Sequence, residues 1–339
     1  MAGLGIGICG AGWVAGEYVR AFTRNAETRV RGVFSRTRAS AERTLAAHGV
    51  DATVYDTLED MLRRDDIDIV VLASPPAVHA RQATAAARAG KHIVVEKPVA
   101  LYRPEVLELV EAADKAGVRS VVSFVLRWNP MFRTIKQLLA DGATGRLMYA
   151  EADYWHWVGP HYGQYSWSHT RAGQESSLLS AGCHALDALR WFAGEVDEVY
   201  ALSAPGFTGS AYEFHPNMVG TLRFTSGAIG KVSSLLECRT PYIFNVQLLG
   251  DLGTIRNNRL YSPAKFPGAT NYAEYPTVLP DSGDVTHHPF QAEVDEFVNC
   301  VRSGGHSSCE LADAARTMEV CFALDESAAS GRPVKVRGL

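Results

Sequence analysis

An apolar run over residues 4–9 passes directly into Gly10-Ala11-Gly12-Trp13-Val14-Ala15-Gly16, and then into a helical pattern with Val14, Tyr18 and Phe22 on one face. No other stretch restricts the possible folds so tightly. In G-x-G-x-x-A between a strand and a helix, Gly10 permits the tight turn and Gly12 lets the backbone approach a pyrophosphate. The small Ala15 lets helix and strand pack closely. The first helical amides, at Trp13 and Val14, point toward that anion. The expected fold is a dinucleotide-binding βαβ unit; other Rossmann-like nucleotide binders, methyltransferases among them, use related turns.

The next apolar run, residues 30–34, should be the second strand, whose end usually carries an acid for the ribose 2′-hydroxyl. Here it ends in Ser35-Arg36-Thr37-Arg38. No carboxylate stands there to repel a 2′-phosphate; Ser35 can donate to it and Arg36 can pair with it or stack on adenine. NADP is therefore favoured over NAD. The plainer alternative is that Arg36 and Arg38 are solvated charges opening the next helix. Helical segments closing at Gly49, Gly90 and Gly117 alternate with apolar runs at 67–73, 93–95 and 120–125, the grammar of a doubly wound parallel sheet. Ser74-Pro75 breaks the first of these runs on the cofactor side, where His79 either approaches a phosphate or ribose or simply caps and packs. The second ends in Glu96-Lys97-Pro98, two charges at the carboxyl end of a buried strand, where open α/β sheets bind ligands. A salt-bridged surface pair is the competing reading.

A chain of 339 residues corresponds to roughly two domains at about 150 residues each. The net charge of −4, without a long Lys/Arg cluster, gives no basis for binding nucleic acid. No run reaches the roughly 18 apolar residues of a membrane helix, and the amino terminus lacks a basic leader, so the expected location is the cytoplasm. Six scattered cysteines without C-x-x-C spacing suit buried thiols in a reducing compartment better than disulfides or a metal site.

Residues 1–125 are thus expected to form an amino-terminal Rossmann domain, and the pattern changes beyond them. Strand-like segments at 147–157, 199–204, 217–224, 228–237 and 243–249, punctuated by turns, predict a mostly antiparallel sheet in a second domain over 126–339. One face of such a sheet is free to pair with another subunit, which points to a homodimer or homotetramer. His156, His161, Tyr162, Tyr165, Trp167 and His169 crowd the region after its first strand, suited to stacking on a sugar or, equally, to packing on a partner subunit. Ser180-Ala181-Gly182-Cys183-His184-Ala185-Leu186-Asp187 follows, with His184 and Asp187 on one helix face.

Together these pieces resemble the glucose–fructose oxidoreductase/inositol dehydrogenase/MocA family over almost the whole chain. The resemblance rests on Gly10-x-Gly12-x-x-Ala15, Ser74-Pro75 with His79, Ala89-Gly90-Lys91-His92 before Glu96-Lys97-Pro98, and Gly182-x-His184-x-x-Asp187, in that order. It implies a Rossmann domain and a carboxy-terminal α/β domain with a large, mostly antiparallel open sheet; terminal helices over 292–301 and 311–328 fit it too. It further implies an NAD(P)-dependent oxidoreductase acting on a secondary alcohol or ketone of a sugar, cyclitol or glycoside, with Lys97 and His184 beside the nicotinamide. Hydride leaves a carbinol carbon as its hydroxyl loses a proton, so a base near neutrality is needed next to a cation; His184 suits the first task and Lys97 the second. Glu96 is expected to orient rather than carry a proton. Arg127, Trp155, His156, Tyr165, Ser180 and Asp187 are the expected substrate contacts. Many members carry Asp where this chain has Ser180, which cannot balance a lysine charge. A redox-neutral epimerase or glycoside-cleaving enzyme with retained cofactor, and a non-catalytic sensor of dinucleotide or sugar, are the alternatives.

Overall fold

The computed structural model describes residues 3–280 and 288–338. The chain divides into two compact units, residues 1–125 with 289–315 and residues 126–288 with 316–339.

In the first unit six strands, β1 (Leu4–Cys9), β2 (Thr28–Phe34), β3 (Thr53–Tyr55), β4 (Ile69–Leu72), β5 (His92–Val95) and β6 (Ser120–Val122), form one sheet in the order β3-β2-β1-β4-β5-β6. Every pairing is parallel. Helices Trp13–Arg24, Arg38–His48, His79–Arg88 and Arg103–Ala116 make the longer crossovers. Ile6, Ile8, Val70, Val71, Val94 and Val121 are buried on both faces of the sheet, which is why β1, β4 and β5 read as unbroken apolar runs. Strand β3 lies at the sheet edge and is three residues long, too short to leave a periodic signal; sequence reasoning missed it. The later helix Phe290–Ser303 also belongs here, setting Phe290 edge-on to Tyr18 at 5.2 Å and to Trp13 at 6.3 Å.

The second unit is built on nine strands: β7 (Leu147–Trp155), β8 (Val196–Ala204), β9 (Asn217–Phe224), β10 (Ile229–Leu235), β11 (Ile243–Gly250), β12 (Thr254–Arg256), β13 (Arg259–Tyr261), β14 (Ala273–Glu274) and β15 (Val334–Lys335). Their order is β14-β13-β12-β11-β7-β10-β9-β8-β15. All pairs are antiparallel except β7 with β10. The alternation expected of a one-sided sheet is clear in β9, where Met218, Gly220, Leu222 and Phe224 are buried and Val219, Thr221 and Arg223 are exposed. Helix Cys183–Ala193 packs on the buried face. No helix among the described residues is long and apolar enough to cross a membrane.

Candidate functional site

The carboxyl edge of the parallel sheet carries the expected dinucleotide residues. Gly10 has φ +112°, and a Cβ there would stand 2.3 Å from the Ala73 carbonyl oxygen, so the turn excludes any side chain. Gly12 caps helix Trp13–Arg24 without a side-chain bond, and a Cβ on it would meet nothing within 4 Å. The first-turn amides of Trp13 and Val14 have no acceptor within the helix, and the open Gly12 turn beside them fits a pyrophosphate. Past β2, Arg38 is taken by Asp56 at 3.1 Å and by the Val54 carbonyl oxygen at 3.1 Å. Arg36 is exposed and makes no hydrogen bond or ion pair among the described residues; Ser35 beside it is half-buried. Arg38 is thus held by its neighbours, and Arg36, the expected cofactor contact, is available.

Ser74 donates from its hydroxyl to Gln82 Oε1 at 2.5 Å, so it is held to the helix that follows Pro75. His79 is buried, with Nε2 2.5 Å from the Ser74 carbonyl oxygen and Nδ1 2.9 Å from that of Pro98. Burial lowers its pKa while the two carbonyls oppose the shift, and a neutral ring can donate to only one of them. Its ring nitrogens are committed to tying the β4 loop to the segment after β5, in line with the packing alternative. Beyond Val95, Glu96 accepts from the Tyr18 hydroxyl on Oε1 and from the Lys97 amide on Oε2, each at 3.1 Å. The Lys97–Pro98 peptide is cis. Glu96 is buried and Lys97 half-exposed, so the strand end is not a solvated surface pair.

In the second unit His184 stands at the start of helix Cys183–Ala193, directly after a π-helical turn, Leu178–Gly182, that carries Ser180. Such turns occur mostly as local insertions at functional places. This one is anchored to β10: Ser234 donates to the Ser177 carbonyl oxygen at 3.0 Å, and a Cβ on Gly182 would be 2.7 Å from that of Ser234. The glycine of the motif is thus needed for close packing. The His184 ring lies parallel to Tyr154 at 6.3 Å and 6.2 Å from the ring of His288. Tyr154 also meets Tyr242 at 5.1 Å, and His156 meets Tyr242 at 5.1 Å and faces the Tyr162 hydroxyl at 2.5 Å through Nε2. A sheet face of imidazole and phenol groups around His184 can stack on a ring and bond its hydroxyls.

Several expected contacts lie elsewhere. Trp155 follows Tyr154 on β7 and so points to the opposite face, where its indole N–H donates to the Ser233 hydroxyl at 2.8 Å. Arg127 and Asp187 are each 3% exposed and bond each other twice, at 2.6 and 2.7 Å; Asp187 also accepts from Thr317, which accepts from Arg190 at 2.7 Å. These two expected substrate contacts are spent on a buried network behind the His184 helix, because both charges need a partner there. Tyr165 joins a separate group with His169 and Tyr212, at 4.9 and 5.8 Å. Sequence reasoning missed Tyr154 and Tyr242. Tyr154 was accessible through period-two counting from His156; Tyr242 precedes its strand and carried no signal.

Burial, reinforced by nearby His161, lowers the pKa of His156 from 6.5 to about 4. Between those values the unfolded chain binds a proton that folded His156 does not, so stability rises with pH across the window. Acidification from about 6.5 toward 4 is therefore expected to lower the denaturant midpoint, and His156→Phe to flatten that dependence. An equal slope in both proteins would place the loss at other groups.

A parallel sheet in the order 3-2-1-4-5-6, with an uncapped helix behind a glycine turn, defines the dinucleotide-binding Rossmann class. Residues 4–124 match the oxidoreductase family with an NAD-binding Rossmann fold, and residues 132–256 match the GFO/IDH/MocA carboxy-terminal domain. The chain belongs to the Gfo/Idh/MocA family of NAD(P)-dependent oxidoreductases. It is 26% identical to inositol 2-dehydrogenase 3 of Saccharopolyspora erythraea, over 98% of this chain and 95% of that one. It is 25% identical to D-xylose 1-dehydrogenase (NADP(+)) 2 of Haloferax volcanii, over 97% and 99%. The fold matches a levoglucosan dehydrogenase solved with NADH and L-sorbose, with a TM-score of 0.91 at 21% identity over the full length of both chains.

Proposed function

We propose that this oxidoreductase moves hydride between NADP, in preference to NAD, and a secondary alcohol or ketone of a sugar, cyclitol or glycoside. The observation that carries the reading is the end of β5, where a buried Glu96 fixes the backbone of Lys97 in a unit that keeps the dinucleotide turn. Relatives that oxidise inositol and xylose support a polyol or sugar substrate. A bound nicotinamide supplies the hydride acceptor or donor. Gly10, Gly12, Trp13 and Val14 hold its pyrophosphate through backbone groups, with Ser74, Pro75 and His79 shaping the neighbouring loop. Lys97 provides the cation that stabilises alkoxide character as the substrate hydroxyl loses its proton, and His184 accepts that proton. Tyr154, His156 and Ser180 position the substrate ring.

In this reading residues 1–125, joined by 289–315, form the cofactor domain, and the rest of 126–339 serves substrate binding and assembly. The outer face of the larger sheet exposes Tyr200, Leu202, Val219 and Ile229, a patch suited to a homodimer or homotetramer in the cytoplasm.

The NADP preference depends on Arg36, the arginine without a partner among the described residues. Arg36→Ala should weaken NADP binding by about tenfold or more while changing NAD binding little, since a charge-assisted contact contributes about 1.5–3 kcal/mol. Equal losses for both cofactors, or tighter NAD binding by the unmodified enzyme, would refute the preference. Turnover itself is tested by screening sugars and cyclitols with each cofactor for a change in nicotinamide absorbance. Product formed without net reduction of added cofactor would favour the redox-neutral alternative.

A further inference from the structure

Four segments of the Rossmann unit close on one buried polar cluster beside the strand end that carries Lys97. Tyr18 comes from helix Trp13–Arg24, Glu96 follows β5, Ser123 follows β6 and Glu293 comes from helix Phe290–Ser303. Tyr18 and Glu293 are 0% exposed, Ser123 1% and Glu96 8%. Two carboxyl groups in such surroundings cannot both remain ionised at neutral pH; like charges in a dry site force a proton onto the pair.

The hydrogen bonds say which oxygen carries it. Glu96 accepts from two donors, the Tyr18 hydroxyl and the Lys97 amide, and both favour its ionised form. Glu293 accepts from the Ser123 hydroxyl on Oε2 at 3.0 Å, and its Oε1 has no partner among the described residues. An ionised Glu293 would leave a buried anionic oxygen unsatisfied, whereas a protonated one can donate from Oε2 to Ser123, freeing that hydroxyl to donate to Glu96, and leaves only a neutral carbonyl oxygen unpaired. The charged groups around the pair have the same effect. Lys97 favours the charge on Glu96, while Glu293 is opposed by Glu96 and by Glu296 on its own helix. Burial is the largest influence on both carboxyls, raising each, and Glu293 is pushed well above its ordinary range. Tyr18, raised by burial and by both acids, stays a neutral donor.

We propose that Glu96 and Glu293 form a dyad with a single proton on Glu293, and that Glu293 is a positioning residue for Lys97. By staying neutral, Glu293 leaves Glu96 as a lone anion that holds the Lys97 amide in place. The inference deepens the role proposed for Lys97 and rests on that reading only for its catalytic consequence.

Two measurements that need no turnover test it on the full-length protein. In infrared spectra, the unmodified protein should show a deuterium-sensitive carbonyl band of a protonated carboxylic acid that is missing from Glu293→Gln and kept in Glu96→Gln. In protein labelled at the lysine backbone nitrogen, with the Lys97 amide signal assigned by its loss in Lys97→Arg, that amide proton should shift upfield in Glu96→Gln, where a neutral acceptor replaces the carboxylate. It should hold its place in Glu293→Gln, where the side-chain amide mimics the neutral acid. A band lost from Glu96→Gln but kept in Glu293→Gln, absence of any such band in the unmodified protein, or an unmoved Lys97 amide signal in Glu96→Gln would each overturn the dyad. Should the dyad behave as stated while Lys97→Ala turns over normally, the proposed function fails and the dyad stands.

Discussion

Lys97→Ala is expected to lower kcat by about a hundredfold or more, with cofactor affinity nearly retained. The variant removes the cation from the end of β5 but leaves the glycine turn, the helix amides and Arg36, the groups proposed to hold the dinucleotide. Glu96 would still accept from the Tyr18 hydroxyl and from the backbone amide of residue 97, so the local fold has its supports. A loss confined to KM would mean that Lys97 only binds substrate, because a group acting in the transition state lowers kcat itself. Near-normal turnover in Lys97→Ala and in His184→Ala would remove the assignment of both roles.

The second large effect is on stability. Asp187→Ala strands Arg127, 3% exposed, without its bidentate acceptor, and breaking one side of a buried pair costs about 3–5 kcal/mol. Thr317 and Arg190 lose part of the same chain of bonds. Replacing both partners with apolar residues of similar size should cost much less than the single change, since no charge is then left buried. Urea denaturation of the single and double variants checks this. A single-variant loss below about 1 kcal/mol would show that Asp187 is not the anchor its geometry makes it.

The central strands β1, β4 and β5 were legible because they are buried on both faces and run into glycine, proline or charged residues; β1 and its turn could be read residue by residue. The motif around His184 was legible as a motif, but not as a π-helical turn, since one extra residue in a helical turn leaves no mark on a pattern of buried positions. Spacing placed His184 and Asp187 on one face. It could not tell that Asp187 would be claimed by Arg127, sixty positions earlier in the chain and silent in any local window. The partners of Glu96 were hidden for the same reason: Glu293 lies in a helix nearly two hundred residues later, and ordinary helical periodicity gives a buried acid no signature. The pairing of Arg38 was hidden too, because it depends on Asp56, beyond the intervening helix.

The alternation of Tyr154 and Trp155 along β7 has an evolutionary consequence. Tyr154 serves the side of the sheet that holds His184, while Trp155 belongs to the side proposed for assembly, where Lys231 bridges Glu151 and Asp153 at 2.6 and 3.1 Å. Inserting or deleting one residue early in this strand would exchange the two sets of side chains at a stroke. Substitutions can tune either surface alone, but length changes here alter both, so β7 should accept drift in residue identity far more readily than drift in length.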